Sequence, residues 1–200
     1  MEKFKKIMGW VIPIVLAVAL GLFIKAELFQ FVKVDGASMA PNLHNTERVM
    51  LLKRAKIRRD SVVVFNAYGV DNTGQPVAKN TKYVKRVIGL PGDTVTYKNN
   101  GELYVNGKYV PQAFISHKQR TTGTTSLNLP EAQGVRIGTG KSFKVPAGKY
   151  FVLGDNRAIS NDSRYYGFVP RGKIDGVVKV PFWDSRENVI NNYWKRVYQE

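Results

Sequence analysis

The chain contains no cysteine, which excludes disulfide scaffolds, thiolate zinc sites and cysteine nucleophiles. It has only two histidines, His44 and His117, which lack the spacing of metal ligands. We expect both to be exposed and non-catalytic, and we expect no metal or other cofactor. No dinucleotide-binding motif, P-loop or internal repeat is present. Any chemistry must therefore come from serine, lysine and aspartate side chains.

Acidic residues are scarce: 15 Asp and Glu stand against 31 Lys and Arg, and the net charge is +16. Such a charge favours an anionic partner, either nucleic acid, anionic lipid or an acidic polymer. Residues 48–59 are the most basic stretch, but apolar residues alternate with the basic ones there. We interpret the stretch as a solvated face near anionic lipid head groups and expect no nucleic-acid partner.

Residues 7–24 carry no charge and, as a helix about 27 Å long, can cross a bilayer. Lys3, Lys5 and Lys6 precede them, so we expect residues 1–6 in the cytoplasm and residues 25–200 outside it, in a single-pass protein of the cell membrane. The alternative is a cleaved signal peptide, because Ala17-Val18-Ala19 has the small-x-small pattern of a cleavage site. The apolar run continues past that point, which favours an uncleaved anchor.

Beyond the anchor the pattern is typical of β-strands. Short runs rich in Val, Ile, Tyr and Phe predict strands at 48–52, 61–65, 82–88, 94–98, 103–105, 142–145, 150–153 and 176–180. Asn106-Gly107 predicts a tight hairpin, and 146–148 predicts a second one. A 3.6-residue period from about Asp184 predicts a C-terminal helix. Residues 94–149, with a polar loop at 121–140, are interpreted as an insertion in this mostly β domain.

Three segments carry candidate chemistry. In residues 35–41, Ser38 lies between small residues and a proline, a pattern that is weak by itself. In residues 83–93, Lys85 lies on a strand; burial would lower its pKa and make it a base, but an inward Arg86 with an outward Lys85 is an equal alternative. Residues 154–170 are dense in polar and charged groups, which indicates either a rigid site or a turn with surface ion pairs.

Together these segments resemble the bacterial type I signal peptidases. The matching patterns are Ser38-Met39-x-Pro41, Tyr83-x-Lys85-Arg86-x-x-Gly89-x-Pro91-Gly92-Asp93 and Gly154-Asp155-Asn156-Arg157-x-x-Ser160-x-Asp162-Ser163-Arg164-x-x-Gly167. The resemblance implies antiparallel coiled β-sheets and a serine endopeptidase with Ser38 as nucleophile and Lys85 as general base. It also implies that Ser160 orients the lysine amine and that the Ser38 N–H donates to the oxyanion. Its remaining supporting residues are Arg86, Asp155, Asp162 and Arg164.

The implied substrate is a secreted pre-protein, extended beside the strand near Ser38, with small residues at the first and third positions before the cut. Met39, Ile88 and Gly36 are candidates for its pocket, and membrane lipid is an expected neighbour of a monomer. Two positions depart from the family. Gly36 stands where some members have a hydroxyl residue as second oxyanion donor, and Arg59 replaces a glycine before Asp60.

Two other classes stay open. Autocleaving repressors use related Ser/Lys chemistry, but they need a helix-turn-helix where this chain has an apolar segment. A membrane-tethered assembly factor without activity would keep the fold and bind an anionic wall polymer. The presence of both Ser38 and Lys85 argues against that second alternative.

Overall fold

The computed structural model describes residues 2–74, 76–125, 134–138 and 140–198. Five helices lie in these residues: α1 (Glu2–Leu28), α2 (His117–Thr125), α3 (Ser163–Tyr166), α4 (Glu187–Ile190) and α5 (Tyr193–Tyr198). The strands are β1 (Phe29–Lys33), β2 (Arg48–Leu52), β3 (Val62–Asn66), β4 (Lys82–Gly89), β5 (Thr94–Tyr97), β6 (Leu103–Val105), β7 (Lys108–Val110), β8 (Ser142–Lys144), β9 (Lys149–Leu153), β10 (Val169–Pro170) and β11 (Ile174–Lys179).

The N-terminal helix α1 contains one stretch, Met8–Leu28, that is long and apolar enough to cross a membrane. The apolar window of this stretch is not buried against the rest of the described chain. The helix continues into β1 without a loop. Lys53, just after β2, donates from Nζ to the Ala26 carbonyl (2.8 Å) and from its backbone N–H to Leu28 (3.1 Å). The end of β2 is therefore fixed against the last turn of α1.

The strands form two antiparallel sheets. The larger sheet has the order β1-β2-β11-β3-β4-β9-β10, and the smaller sheet has the order β7-β6-β5-β8. The larger sheet is curled into a half-barrel. The predicted mostly β, antiparallel fold is confirmed, and each predicted strand is present within two residues of its predicted bounds. The edge strand β1 was not predicted, because it follows the apolar helix without a turn residue.

Both faces of the larger sheet are covered at its central strands, β3 and β4. On β3, Val62 and Val64 belong to one buried cluster, while Val63 and Phe65 belong to another on the opposite face. A strand covered on both sides buries consecutive residues. The same holds for the neighbouring strand β4, where Lys85 and Arg86 face opposite sides and are both buried. The sequence alternative, with one of the two side chains directed to solvent, is wrong.

The two predicted hairpins had different outcomes. Asn106 and Gly107 both have positive φ (53° and 77°) and connect β6 to β7, as a two-residue hairpin requires. The second prediction, at residues 146–148, is wrong because β8 pairs with β5 while β9 pairs with β4. That turn joins the two sheets. Local turn chemistry shows where a chain reverses, but not which strand the next one will pair with.

The helical predictions need two corrections. The C-terminal segment forms two short helices, α4 and α5, instead of one. Helix α2 occupies the start of the segment predicted as a polar loop, and its apolar content is too low for a helical period to be visible. The rest of that predicted loop lies partly outside the described residues.

The basic segment 48–59 is only in part a solvated face. Arg54 pairs with Glu27 at the end of α1 (3.1 Å), and both side chains are well exposed. Arg59 instead forms a largely buried pair with Asp93 (2.7 Å), and the Arg58 guanidinium lies 4.4 Å from the centre of the Trp194 ring. Several of these charges therefore hold the fold together.

Gly176 offers a test of the packing between β2 and β11. A Cβ at this position would lie 2.5 Å from the Leu52 carbonyl oxygen, whereas one at Gly172 would meet nothing within 4 Å. Gly176→Ala should lower the free energy of unfolding by about 1–3 kcal/mol, because the backbone must move. Gly172→Ala should change it by less than about 0.5 kcal/mol. Denaturant unfolding in detergent measures both values, and equal values would contradict the observed strand register.

Candidate active site

Ser38 lies in the loop that follows β1. Met39 and Leu43 anchor this loop, because both are fully buried in the cluster on one face of the larger sheet. Gly36 has a φ of +84° and donates its N–H to Asn45 Oδ1 (3.0 Å), and the bond between Ala40 and Pro41 is cis. The loop thus holds a partly exposed serine between buried apolar anchors.

Lys85 reaches this serine from β4, four strands away in the sheet order. In a flat sheet four strand spacings would separate the two strands by about 19 Å, so the contact depends on the curl of the sheet and on the loop after β1. The Lys85 amine donates to Ser38 Oγ (2.9 Å) and to the Val84 carbonyl (3.1 Å). The structure therefore brings the two predicted catalytic residues into direct contact.

Lys85 is buried, with 4% of its surface exposed. Burial lowers the pKa of its amine to about 8. The negative charge of Asp162 acts to raise this pKa, and the positive charge of Arg164 acts to lower it. With such a pKa, about one molecule in ten has a neutral amine at pH 7, against about one in three thousand for an unperturbed lysine. The buried amine is thus suited to accept a proton from the serine that it contacts.

Gly154 follows β9 and lies against both Ser38 and Ser160. A Cβ at this position would lie 2.6 Å from the Ser38 carbonyl oxygen and would overlap the Ser160 side chain. Only glycine allows this approach. The loop of residues 154–161 can therefore pass directly behind the Ser38 peptide.

Asp162 and Arg164 brace this loop from one side. The Arg164 guanidinium binds Asp162 with both Nε (2.7 Å) and Nη2 (2.9 Å), and Nη2 also donates to the Ser160 carbonyl (3.1 Å). Asp162 accepts a further bond from the Gly154 N–H (2.9 Å) and caps α3. Burial would raise the pKa of Asp162, but the charge and hydrogen bonds of Arg164 hold it below its ordinary value. Asp162 therefore stays ionised although it is buried.

Arg86 and Asp155 brace the loop from the other side, and neither side chain is exposed. Two parallel hydrogen bonds join them, from Nε (2.8 Å) and Nη2 (2.7 Å). Arg86 Nη1 donates to the Val189 carbonyl of α4 (3.0 Å), and Asn42 Nδ2 donates to Asp155 (2.8 Å). One buried pair thus connects four parts of the molecule. These are β4, the loop of residues 154–161 (the active-site loop), the loop that carries Ser38, and helix α4.

Ser160 is buried, at 2% exposure, behind the pair formed by Ser38 and Lys85, which we call the dyad. Its backbone N–H donates to the Asn156 carbonyl (3.0 Å). Within the described part of the chain, neither hydrogen bond of the Lys85 amine goes to Ser160. The amine is oriented instead by the carbonyl of Val84, its neighbour on β4.

The three residues expected in the substrate pocket lie in different places. Gly36 is exposed, but Met39 and Ile88 are fully buried, in two separate apolar clusters. Buried side chains offer no surface to a substrate unless they move. Met39 and Ile88 therefore present almost no surface in the structure, and Gly36 is the exposed member of the group.

Two further residues were not singled out from the sequence. Asn156 donates its N–H to the Ser38 carbonyl (3.0 Å) and its side-chain Nδ2 to the Ala37 carbonyl (3.2 Å). Asp71 accepts hydrogen bonds from Tyr83 (2.8 Å) and Asn161 (2.6 Å), and so joins β4 to the active-site loop. Asn156 lay within a recognised motif, but nothing in the sequence around Asp71 indicates its partners.

A groove of about 500 Å³ is lined by residues of five strands of the larger sheet, from the edge strand β1 to β4. The groove is lined by Gln30, Phe31, Val32, Lys33, Leu51, Lys53, Val64, Lys82 and Asp175. Lys82 is the first residue of β4, the strand that carries Lys85, and β1 leads toward Ser38.

His44 and His117 are exposed, and the described residues contain no cluster of His, Cys, Asp and Glu that could hold a metal.

Comparison with known proteins agrees with this geometry. The family model "Signal peptidase, peptidase S26" matches residues 7–183. The chain is 37% identical to signal peptidase I of Bacillus licheniformis, over 93% of this chain and 94% of that protein. It is 38% identical to signal peptidase IB of Staphylococcus aureus strain COL, over 92% and 93% of the two chains.

Among solved structures, the crystal structure of a signal peptidase I from Enterococcus faecalis is 34% identical and covers 62% of this chain and 97% of its own, with a TM-score of 0.44. The family model spans more than half of the chain, and both full-length relatives exceed 30% identity over nearly all of it. The chain belongs to the signal peptidase I family of serine endopeptidases, peptidase family S26.

Proposed function

We propose that the protein removes N-terminal signal peptides from exported pre-proteins, with Ser38 as nucleophile, Lys85 as general base and cleavage after Ala-x-Ala. The observation that carries the proposal is the 2.9 Å hydrogen bond between the buried Lys85 amine and Ser38 Oγ. An assembly factor without activity has no use for a buried lysine beside a serine, since burial of a charge costs free energy.

The reaction proceeds in two halves. Neutral Lys85 takes the proton of Ser38 as Oγ attacks the scissile carbonyl, and the resulting ammonium then protonates the departing amine. This leaves an ester between Ser38 and the signal peptide. Lys85, neutral again, takes a proton from the water that attacks the ester, and the resulting ammonium returns this proton to the departing Ser38 Oγ. The signal peptide leaves as an acid that loses its proton to solvent, so Ser38 and neutral Lys85 are both restored. The backbone N–H of Ser38 stabilises the oxyanion in both halves.

We propose that the substrate binds as an added strand along the groove beside β1. Strand β1 is paired on one side only, and its backbone leads from the end of α1 toward Ser38. A substrate leaving the membrane beside α1 would follow the same direction. In an extended chain, the first and third residues before the cut face the same side. The side chains of these two residues would therefore face the same surface of the enzyme, as the Ala-x-Ala preference of the family requires.

We further propose that α1 anchors the protein, with residues 1–6 in the cytoplasm and the β domain outside it. The length of the apolar segment supports a span, and three lysines near the N-terminus support this orientation. Phe31, in β1 shortly after the helix, is 68% exposed, and basic residues Lys53 and Arg54 lie at the end of α1. This combination supports contact of the β domain with anionic lipid.

The first test of the proposed function concerns the dyad of Ser38 and Lys85. Ser38→Ala and Lys85→Ala should each reduce cleavage of an Ala-x-Ala peptide to below a few per cent, and the double variant should be no worse, because the two groups act in one step. Lys108→Ala, which removes an exposed lysine of the smaller sheet, is the matched control and should keep full activity. Substantial cleavage by a folded Lys85→Ala variant would remove lysine from the mechanism.

The second prediction concerns pH. The neutral amine is the active form and burial lowers its pKa to about 8, so kcat/KM should rise with pH and level off above that value. The measurement uses a peptide without ionisable side chains, at substrate concentrations below KM. A rate that is flat from pH 6 to 10, or a midpoint near 10.5, would contradict the assignment of Lys85 as the titrating base.

The third prediction concerns the anchor. Removal of residues 1–25 keeps the contacts of Lys53 and Arg54 with residues 26–28, so the β domain should still cleave soluble peptides. Cleavage of pre-proteins in bilayers should fall, because tethering raises the effective concentration. The truncated domain should co-sediment with anionic vesicles at low salt and not with neutral ones. Absence of binding would show that α1 alone positions Ser38 at the membrane.

A further inference from the structure

Asn156 holds the peptide groups on both sides of the nucleophile. Its backbone N–H donates to the Ser38 carbonyl (3.0 Å), and its side-chain Nδ2 donates to the Ala37 carbonyl (3.2 Å). The Ala37 carbonyl belongs to the same peptide unit as the Ser38 N–H. The Ala37 carbonyl also accepts from the Ala40 N–H (3.1 Å), so Asn156 and this turn together fix the peptide plane that enters Ser38, and Asn156 holds the carbonyl that leaves it.

The bond to Ala37 also determines where the Ser38 N–H points. A trans peptide is planar, and its C=O and N–H point in opposite directions. When Asn156 holds the Ala37 oxygen, the Ser38 N–H is turned away from Asn156. Among the described residues this N–H makes no hydrogen bond, so it is available to an oxyanion. The Asn156 side chain thus aims a donor that it does not touch.

The orientation of the Asn156 amide depends on Gln119. Since Nδ2 donates to Ala37, Oδ1 must face the other way, and it accepts a hydrogen bond from Gln119 Nε2 (3.2 Å). Gln119 lies on α2, between the two outer strands of the smaller sheet in sequence. The two amides form one directed series from α2 through Asn156 to the carbonyl of Ala37.

The flanking residues of the same loop are attached to the same part of the molecule. Arg157 donates from Nη1 to the Tyr97 hydroxyl of β5 and from Nε to the Gly154 carbonyl (2.9 Å). Asp155 accepts from Asn42, whose Nδ2 also donates to the Phe114 carbonyl (2.7 Å). Three consecutive loop residues are thus connected to the segment of β5 to β8, which fixes the loop against it.

We propose that the segment carrying the smaller sheet and α2 positions the oxyanion donor of the reaction. Gln119 sets the direction of the Asn156 amide, and Asn156 aims the Ser38 N–H at the scissile carbonyl. Both are positioning residues, and neither touches the reacting atoms. The inference rests on the proposed function, because it assumes that Ser38 attacks a carbonyl and that its own N–H receives the oxyanion.

Isosteric variants of the full chain in detergent micelles test the inference, with an Ala-x-Ala peptide as substrate. Asn156→Asp cannot donate to Ala37, and Gln119→Glu cannot donate to Asn156. We expect kcat to fall about 10- to 100-fold for the first variant and about 3- to 30-fold for the second, since misplaced oxyanion donors act on the transition state. KM should change by less than about twofold. The pH midpoint is compared in the uncharged variants Asn156→Ala and Gln119→Met, where it should not move, because no new charge is placed near Lys85.

Lys118→Gln is the matched control. It lies beside Gln119 on α2, is exposed and changes the net charge by the same amount as Gln119→Glu, and it should keep the wild-type kcat. Addition of Gln119→Glu to Asn156→Ala should have no further effect if Gln119 acts through Asn156. If Gln119→Glu lowers kcat by the same factor in the wild-type chain and in Asn156→Ala, the proposed connection is overturned.

Two other results would overturn the inference. A kcat that stays at the wild-type value while the unfolding temperature falls would show that the two amides serve stability alone. A fall in kcat with a shifted pH midpoint in the uncharged variants Asn156→Ala or Gln119→Met would show that the two amides act on Lys85. If the folded wild-type chain and Ser38→Ala cleave the peptide equally, the proposed function itself is wrong. If the wild type cleaves and Gln119→Glu and Asn156→Asp equal it, only the positioning role is wrong.

Discussion

The hydrogen bond between the Lys85 amine and Ser38 depends on a lysine that is kept out of water. Removal of an ammonium from water costs free energy, and a buried lysine responds with a lowered pKa. Here the curl of the larger sheet brings β4 under the loop after β1, so the amine is covered and the serine lies against it. The apolar packing of the sheet and the proposed chemistry thus have the same origin.

The surroundings of the dyad are rigid because two buried ion pairs lie on either side of one loop. Arg86–Asp155 and Arg164–Asp162 each form two hydrogen bonds, and loss of one partner from such a pair costs about 3–5 kcal/mol. Gly154 lets the loop approach the Ser38 backbone. Asn156 then binds the peptides on both sides of Ser38. The loop therefore supports Ser38 as well as the strand that carries Lys85.

Patterns local in sequence predicted most of the fold and the three segments that meet at the site. The hairpin at Asn106 is an example, because its turn chemistry is complete in two residues. Contacts distant in sequence were not predictable. The burial of both Lys85 and Arg86 requires cover on two sheet faces, and the partners of Asp71 lie on two separate elements. The prediction of a hairpin at residues 146–148 was wrong for the same reason, since the two flanking strands pair with other strands.

Direct titration of Lys85 tests the central claim. In the full chain with labelled lysine, in detergent micelles, NMR signals of the Lys85 side chain can be followed from pH 6 to 11 and assigned by their loss in Lys85→Met. We predict a midpoint of about 8, well below those of the exposed lysines. A midpoint near 10.5, with the domain folded, would show a charged amine at working pH and would contradict its role as the base that activates Ser38.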